Sequence, residues 1–176
     1  MQKIEFPDTI MEAFRPRTVS LSEAYSPPTI HLFIGPGPLV GKTYHARKFA
    51  KEHGLECGST SDVVIERLAE ELWITSDSQQ EPSGAQIRSK KEPYRWLLQA
   101  VGDKMCAENP LALAGKLIDG GATVIDGIRR QTELNAVMDA FPHHKIYWVT
   151  RPNYPKMRDN TDIRFQYGWQ VVNNEF

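Results

Sequence analysis

Short apolar runs alternate with longer segments whose apolar residues recur every three or four positions, and this alternation begins at residue 29. The apolar runs predict strands at 29–34, 55–59, 122–125, 145–150 and 169–172. The periodic segments predict helices over 42–53, 62–72, 93–105, 109–119 and 132–141. Alternation of this kind predicts an α/β domain with a central parallel sheet of about five strands, a common sheet size, and helices on both faces.

Two segments lack this periodicity. Residues 1–28 contain Pro7, Pro16, Pro27 and Pro28 with Ser and Thr between them, and we predict an N-terminal arm or linker there, followed by one domain over 29–176. Residues 76–86 are polar and irregular, which predicts a loop.

Composition removes several classes of protein. A length of 176 residues predicts one domain. No apolar run approaches the ~20 residues of a membrane span, and the first residues show no signal-peptide pattern. Cys57 and Cys106 have neither zinc-site spacing nor a disulfide framework, so we expect a reduced, cytoplasmic setting. The net charge of −1 argues against wholesale nucleic-acid binding and leaves a local basic groove open.

The strongest candidate chemistry lies in the segment GPGPLVGKT, residues 35–43, between a predicted strand and a predicted helix. A phosphate-binding loop needs consecutive backbone N–H groups at a helix N-terminus, a lysine for the β- and γ-phosphates and a hydroxyl for Mg²⁺. Pro36 and Pro38 carry no N–H, and Pro36 stands where the usual motif has its first glycine. The candidate ATP-binding residues of this loop are Gly35, Gly37, Leu39, Val40, Gly41, Lys42 and Thr43.

A second candidate is the stretch ATVIDGIRRQTEL, residues 122–134. Its apolar strand delivers Asp126 to the carboxyl edge of the sheet, where ligands of open α/β sheets bind. Asp126 there is a candidate ligand of Mg²⁺, directly or through water. Arg129 and Arg130 follow at once, and guanidinium groups suit phosphate oxygens.

Two basic segments are weaker candidates. Arg95 and Gln99 share one face of the predicted helix, and Arg88 lies in the loop before it; a solvated basic loop is the competing interpretation for Arg88. Residues 151–162 contain Arg151, Lys156 and Arg158 in a Pro- and Asn-rich segment. Either a mobile flap over the phosphates or an ordinary charged surface loop has this composition.

Together these segments resemble the P-loop nucleoside monophosphate kinases. The stretch IDGIRR is similar to the DGFPR element of adenylate-kinase-type enzymes, in which the Asp ends the third parallel strand and the Arg binds the acceptor's phosphate; Asp126 and Arg130 match. The similarity is greater to phage-type deoxynucleoside monophosphate kinases and extends in order over residues 29–174. It rests on R-x-L-L-Q-x-x-G at 95–102, V-I-D-x-x-R with a later Glu at 124–133, W-V-x-R-P at 148–152, and D-N-T-D at 159–162.

The resemblance implies a P-loop kinase-type three-layer fold and the transfer of phosphate from ATP, with Mg²⁺, to a (deoxy)nucleoside monophosphate. It implies that Lys42, Asp126, Arg129 and Arg130 serve catalysis, and that Thr43 and Asp126 serve the metal. Arg151, Lys156 and Arg158 would close over ATP. The acceptor would meet Asp62, Arg88, Arg95, Gln99 and Arg130; the lysine usual one turn after that Asp is Glu66 here.

Other functions stay open on the sequence alone. A kinase acting on a modified base in phage DNA would use the same ATP half-site and would need a basic groove. A catalytically weak nucleotide-binding or interaction module is suggested by Pro36 and Pro38. The candidate partners are a small-molecule nucleoside monophosphate and a second copy of the chain in a homodimer. Nucleic acid is disfavoured but stays open, and no membrane partner is expected.

Overall fold

The structure, a computed structural model, describes residues 27–75, 83–152 and 161–173, with the side chains of 73–75 excepted. Five strands are present: β1 (Ile30–Ile34), β2 (Cys57–Ser59), β3 (Val124–Asp126), β4 (His144–Thr150) and β5 (Gln170–Asn173). The helices of the described residues are α1 (Lys42–His53), α2 (Thr60–Thr75), α3 (Gly84–Ser89), α4 (Lys91–Glu108), α5 (Ala112–Asp119) and α6 (Gln131–Ala140).

The strands form one all-parallel sheet in the order β2-β3-β1-β4-β5. β1 is central, with Phe33 beside Asp126 of β3 and Ile34 beside Trp148 of β4. The chain therefore leaves β1 for the edge strand β2, returns through β3, and crosses β1 to reach β4. Because all strands run in the same direction, the segments that follow β1, β3 and β4 lie side by side at one edge of the sheet.

Both faces of the sheet are covered by helices, because successive side chains of a strand point to opposite faces. Ile30, Leu32 and Ile34 pack with buried residues of α5 and α6, whereas Phe33 packs with Ala46 and Ala50 of α1. This is the predicted α/β fold class, and the structure confirms it. A further apolar cluster joins α2, α3, α4 and α5 beside the sheet; its buried members are Val63, Val64, Ile65, Leu68, Ile87, Val101, Cys106 and Leu113.

The predicted elements differ most from the structure at α3 and α5. Gly84–Gln86, predicted as loop, is the start of α3, because Ser83 and Gln86 form a capping box: the backbone N–H of Gln86 donates to Ser83 Oγ, and the Ser83 N–H donates to Gln86 Oε1. α5 begins at Ala112 rather than at 109, after a turn in which the Leu111 N–H donates to Asn109 Oδ1 over 2.9 Å.

Some sequence predictions concern residues outside the described ranges. Residues 1–26 of the predicted arm and 76–82 of the predicted loop are among these. In the described part of the chain, no helix has the length and apolarity needed to cross a membrane.

Gly35 joins the end of β1 to the loop that follows, and its backbone lies against β4. A Cβ at this position would clash with the carbonyl oxygen of Val149, a backbone atom that cannot move aside. We expect Gly35→Ala to lower the free energy of unfolding by about 1–3 kcal/mol, the usual effect of overpacking a buried position. Urea titration at an unchanged m-value measures this loss.

Gly37→Ala is the matched control for that experiment, because a Cβ at Gly37 has no heavy atom within 4 Å. Its unfolding free energy should change by about 0.5 kcal/mol or less. Equal losses in the two variants would contradict the close approach of Gly35 to β4.

Candidate functional site

The N-terminus of α1 has the features of an anion-binding site. Gly41, its N-cap, has φ 99°, and no side chain among the described residues caps the helix. The first turn contains no acidic residue, and it places Lys42 and Thr43 at the N-terminus of the helix. Backbone N–H groups at a helix N-terminus lack intrahelical partners and carry partial positive charge, so an anion is stabilised there.

The loop before α1 contacts the side chain of Lys42, the first residue of that helix. Lys42 Nζ donates a hydrogen bond to the carbonyl oxygen of Gly37. Leu39 has φ 59° and is 67% exposed, while Val40 is buried under the loop. Leu39 is the one residue other than glycine with positive φ in the described part of the chain. Such a conformation costs about 1–3 kcal/mol and occurs preferentially at functional sites.

Asp126, the last residue of β3, lies at the same edge of the sheet as this loop. Its side chain is 1% exposed, and neither carboxylate oxygen has a hydrogen-bond partner within the described ranges. A buried carboxylate without partners is costly, so a cation or donor from outside the protein would stabilise it. No group of three or more His, Cys, Asp or Glu side chains suited to a metal ion occurs among the described residues.

These features fit Mg²⁺, which binds through one or two carboxylates together with phosphate oxygens and water. They do not fit a metal that is held by protein ligands alone. Asp126 and the exposed hydroxyl of Thr43 are the residues suited to such an ion.

The turn after Asp126 depends on Gly127, whose φ is +91°. A Cβ at Gly127 would lie 2.6 Å from the Oγ1 atom of Thr60, and Thr60 is the first residue of α2. The missing side chain thus allows the turn of 127–130 to pass close to α2. This close approach brings the two arginines after β3 to the space between α2 and α4.

That space is a pocket open to solvent. It is bounded by the start of α2, by α4, by one residue of α5, and by the turn from Gly127 to the first turn of α6. Its lining residues are Thr60, Ser61, Val64, Lys91, Arg95, Leu98, Gln99, Gly102, Leu113, Gly127, Arg129, Arg130 and Glu133. The structure therefore brings together four residues singled out from the sequence, namely Arg95, Gln99, Arg129 and Arg130.

Arg130 is held by side chains of α4. Its Nη2 forms an ion pair with Asp103, and its Nη1 donates to Cys106 Sγ over 3.8 Å. The Arg130 side chain is 18% exposed. Two contacts fix this guanidinium before any ligand arrives, which lowers the entropy cost of binding an anion. Arg95, by contrast, is half-exposed and pairs with Glu92 one turn earlier.

Glu133 supplies the only carboxylate among the residues that line the pocket. The side chain is 1% exposed, and its carboxylate accepts a hydrogen bond from the backbone N–H of Arg129, whereas Oε1 has no partner in the described part of the chain. Burial raises the pKa of Glu133 to about 7, against the opposing effects of that hydrogen bond, Arg130 and Arg129. A carboxyl group that titrates near neutrality in a pocket marks a candidate functional residue.

The arginine turn is also tied to the segment before β5. Asp162 Oδ1 accepts from the Gln131 N–H over 2.6 Å, and the Asp162 N–H donates to the Arg129 carbonyl oxygen over 3.1 Å. The next residue, Ile163, is buried in the core. Asp162 belongs to the D-N-T-D stretch, so this part of the motif fixes the backbone on both sides of Arg130.

Other predicted site residues lie elsewhere. Arg88 and Asp62 form an ion pair over 3.1 Å outside the pocket, and Asp62 instead lines a second cavity with Glu66 and Lys116. Arg151 is exposed and follows β4 at the carboxyl edge of the sheet. Lys156 and Arg158 lie outside the described residues.

Sequence reasoning did not single out Thr60, Ser61 or Glu133 as site residues. For Glu133 the signal was present, because a glutamate in the third position of a helix often accepts a hydrogen bond from the backbone before it. Thr60 and Ser61 follow a three-residue strand, and nothing in their own pattern distinguishes them from an ordinary helix start.

The sequence matches no protein-family model, and no curated protein is significantly similar to it. Among solved structures it is similar to a sugar kinase from Janibacter sp. HTCC2649, determined without ligand. The two chains are 15% identical, the alignment covers 84% of this chain and 85% of that one, and the TM-score is 0.42. A similarity of this extent assigns neither an activity nor a substrate.

Proposed function

We propose that this protein transfers the γ-phosphoryl group of ATP to a (deoxy)nucleoside monophosphate. The observation that carries the proposal is the pocket in which Arg95, Gln99, Arg129 and Arg130 meet. It lies next to Asp126, a buried carboxylate with no hydrogen-bond partner among the described residues, at the same sheet edge as the 35–43 loop. One half of this arrangement suits a triphosphate and the other half suits a second, smaller anion. Phosphoryl transfer needs these two half-sites next to each other.

The roles of the residues follow from their chemistry. Lys42 and the backbone N–H groups at the start of α1 would bind the β- and γ-phosphates of ATP. Arg129 and Arg130 would bind the phosphate of the acceptor and stabilise negative charge that develops during transfer. Arg95 and Gln99 would orient the acceptor from α4. Arg151, which follows β4, would approach the phosphates from that side.

Mg²⁺ would be held by Thr43 and Asp126 together with phosphate oxygens. When bound, the ion neutralises charge on the phosphates and fixes their geometry. The protein's own part is positioning, because the nucleophile and the leaving group both belong to the substrates.

A screen for ADP release over all ribo- and deoxyribonucleoside monophosphates, with ATP and Mg²⁺, tests the proposal. We expect one monophosphate or a small group of them to give turnover well above the ATPase background. Tight ATP binding without turnover on any of them would contradict the proposal and would favour a nucleotide-binding module. Turnover only on duplex DNA, weakening steeply with salt, would favour the DNA base as acceptor.

Arg95→Ala should raise the KM for the monophosphate about ten- to a hundredfold and leave the KM for ATP nearly unchanged. Loss of a charge-assisted hydrogen bond is worth about 1.5–3 kcal/mol, which corresponds to that range. Steady-state kinetics with each substrate varied in turn measures both values.

Arg67→Ala is the matched control, since Arg67 is an exposed arginine of α2 that pairs with Glu70 and Glu71 away from the pocket. It should leave both KM values unchanged. A similar rise in both KM values for Arg95→Ala, with a lower melting temperature, would make Arg95 a structural residue.

A further inference from the structure

The pocket combines cationic side chains with a single buried, unpaired acceptor atom. Lys91, Arg95, Arg129 and Arg130 line it together with the one lining carboxylate, that of Glu133. Arg95 and Arg130 also pair with Glu92 and Asp103, which do not line the pocket. A fully ionised oxyanion such as sulfate, which has no O–H, would satisfy the cations and leave Glu133 Oε1 without a partner among the described residues. A ligand that completes this pocket therefore carries both an anionic group and a hydrogen-bond donor.

No residue that the structure describes supplies a donor to Glu133 Oε1. The nearby guanidinium of Arg130 already contacts Asp103 and Cys106, and the backbone N–H of Arg129 is satisfied by the Glu133 carboxylate. Leaving a buried acceptor unsatisfied is unfavourable, so a ligand donor that reaches this oxygen binds more tightly than one that does not. The pKa of about 7 has the same origin in burial without a compensating donor at Oε1.

We propose that Glu133 Oε1 accepts a hydrogen bond from the uncharged part of the acceptor monophosphate and so determines which monophosphate is used. This inference rests on the proposed function. The shared chemistry is an N–H or O–H donor, which a nucleoside monophosphate supplies from its base or its sugar. The apolar wall of Val64, Leu98 and Leu113 would contact the rest of that part of the ligand.

Donor-deleted acceptors test the inference on the wild-type protein. The base series compares dAMP, dCMP and dTMP with their counterparts carrying purine, 2-pyrimidinone and N3-methylthymine. It compares dGMP with two counterparts, carrying hypoxanthine, which lacks the 2-amino group, and 2-aminopurine, which lacks the N1–H. The sugar series compares the ribo, 2′-deoxy and 2′,3′-dideoxy forms of the best acceptor. In assays at about pH 8 or above, where Glu133 is ionised, we expect one deletion to lower kcat/KM about ten- to a hundredfold, the cost of a lost hydrogen bond to a charged group. The series in which the loss occurs identifies the source of the donor.

Glu133→Gln assigns that loss to Glu133. Its amide oxygen can still accept from the Arg129 N–H, and its NH₂ group then replaces the Oε1 acceptor with a donor. The variant should lose about ten- to a hundredfold in kcat/KM on the parent substrate and little on the donor-deleted one. Glu108→Gln, on the exposed end of α4, is the matched control and should leave both values unchanged.

Failure of this inference and failure of the proposed function give different results. Equal losses on parent and donor-deleted substrates in Glu133→Gln, with a lower melting temperature, would make Glu133 a purely structural residue and overturn the inference. So would a wild-type protein that loses less than about threefold on every deletion, whether or not the variant folds. Absence of turnover with every monophosphate would instead overturn the proposed function, and the inference with it.

Discussion

Lys42→Ala should reduce phosphoryl transfer by about 10²–10³-fold, the usual effect of removing a group that stabilises charge in the transition state. Lys42 stands at the first position of α1, and its ammonium lies over the 35–43 loop through its hydrogen bond to the Gly37 carbonyl oxygen. A lysine in this place stabilises phosphate oxygens most as negative charge moves between the phosphates. The loss should therefore fall on kcat as well as on the KM for ATP.

The fold should survive this substitution. Lys42 is half-buried, and its replacement removes a hydrogen bond to a backbone carbonyl oxygen, which is worth about 1 kcal/mol. Lys48→Ala is the matched control, because Lys48 is an exposed lysine of the same helix, away from the loop. Near-normal turnover in Lys42→Ala, with an unchanged melting curve, would show that the loop does not bind the transferred phosphate.

Asp126→Asn should impair activity and stabilise the protein at the same time. The carboxylate is buried at the end of β3 with neither oxygen paired to a described residue, so the folded state bears an uncompensated charge. An amide of the same shape costs less to bury than a carboxylate, and we expect the free energy of unfolding to rise by about 1 kcal/mol or more. Turnover should fall about 10²-fold or more, because a neutral side chain is a poor ligand for Mg²⁺.

Denaturant titration and steady-state kinetics on the same preparation measure the two effects, and the Mg²⁺ concentration for half-maximal activity should rise. Asp139→Asn, on the exposed side of α6, is the matched control and should change neither quantity. A less stable Asp126→Asn protein would mean that the carboxylate supports the fold. Unchanged activity would remove Asp126 from the site. A substitution that raises the free energy of unfolding and lowers activity identifies a residue that serves function and destabilises the fold.

Local patterns predicted the five strands and five of the six helices of the described residues. The runs at 29–34 and 145–150 are dominated by β-branched, aromatic and leucine side chains, and they form β1 and β4. The segment before Lys42 and the position of Asp126 at the end of a strand were also evident, since a strand end and a helix start are set by neighbouring residues. The capping box at Ser83 was equally local, but the polar composition around it concealed a helix of six residues.

The sequence did not predict which segments, far apart along the chain, meet in the folded protein. Arg95 and Arg130 both suit an anion, but only the strand order and the close approach of Gly127 to α2 bring the turn after β3 to α4. Asp62 and Arg88, which resemblance assigns to the same substrate, pair with each other outside that pocket.

The sequence by itself determined the alternation of strands and helices and the chemistry available at each strand end, because both depend on residues within a few positions of one another. Only the tertiary structure decided which of those groups share a pocket. It also decided that Arg130 is fixed by Asp103 and Cys106, and that Glu133 is buried with one oxygen unpaired among the described residues. Burial and hydrogen-bond pairing are properties of packed surroundings, and those surroundings come from four helices and the turn after β3, which are far apart along the chain.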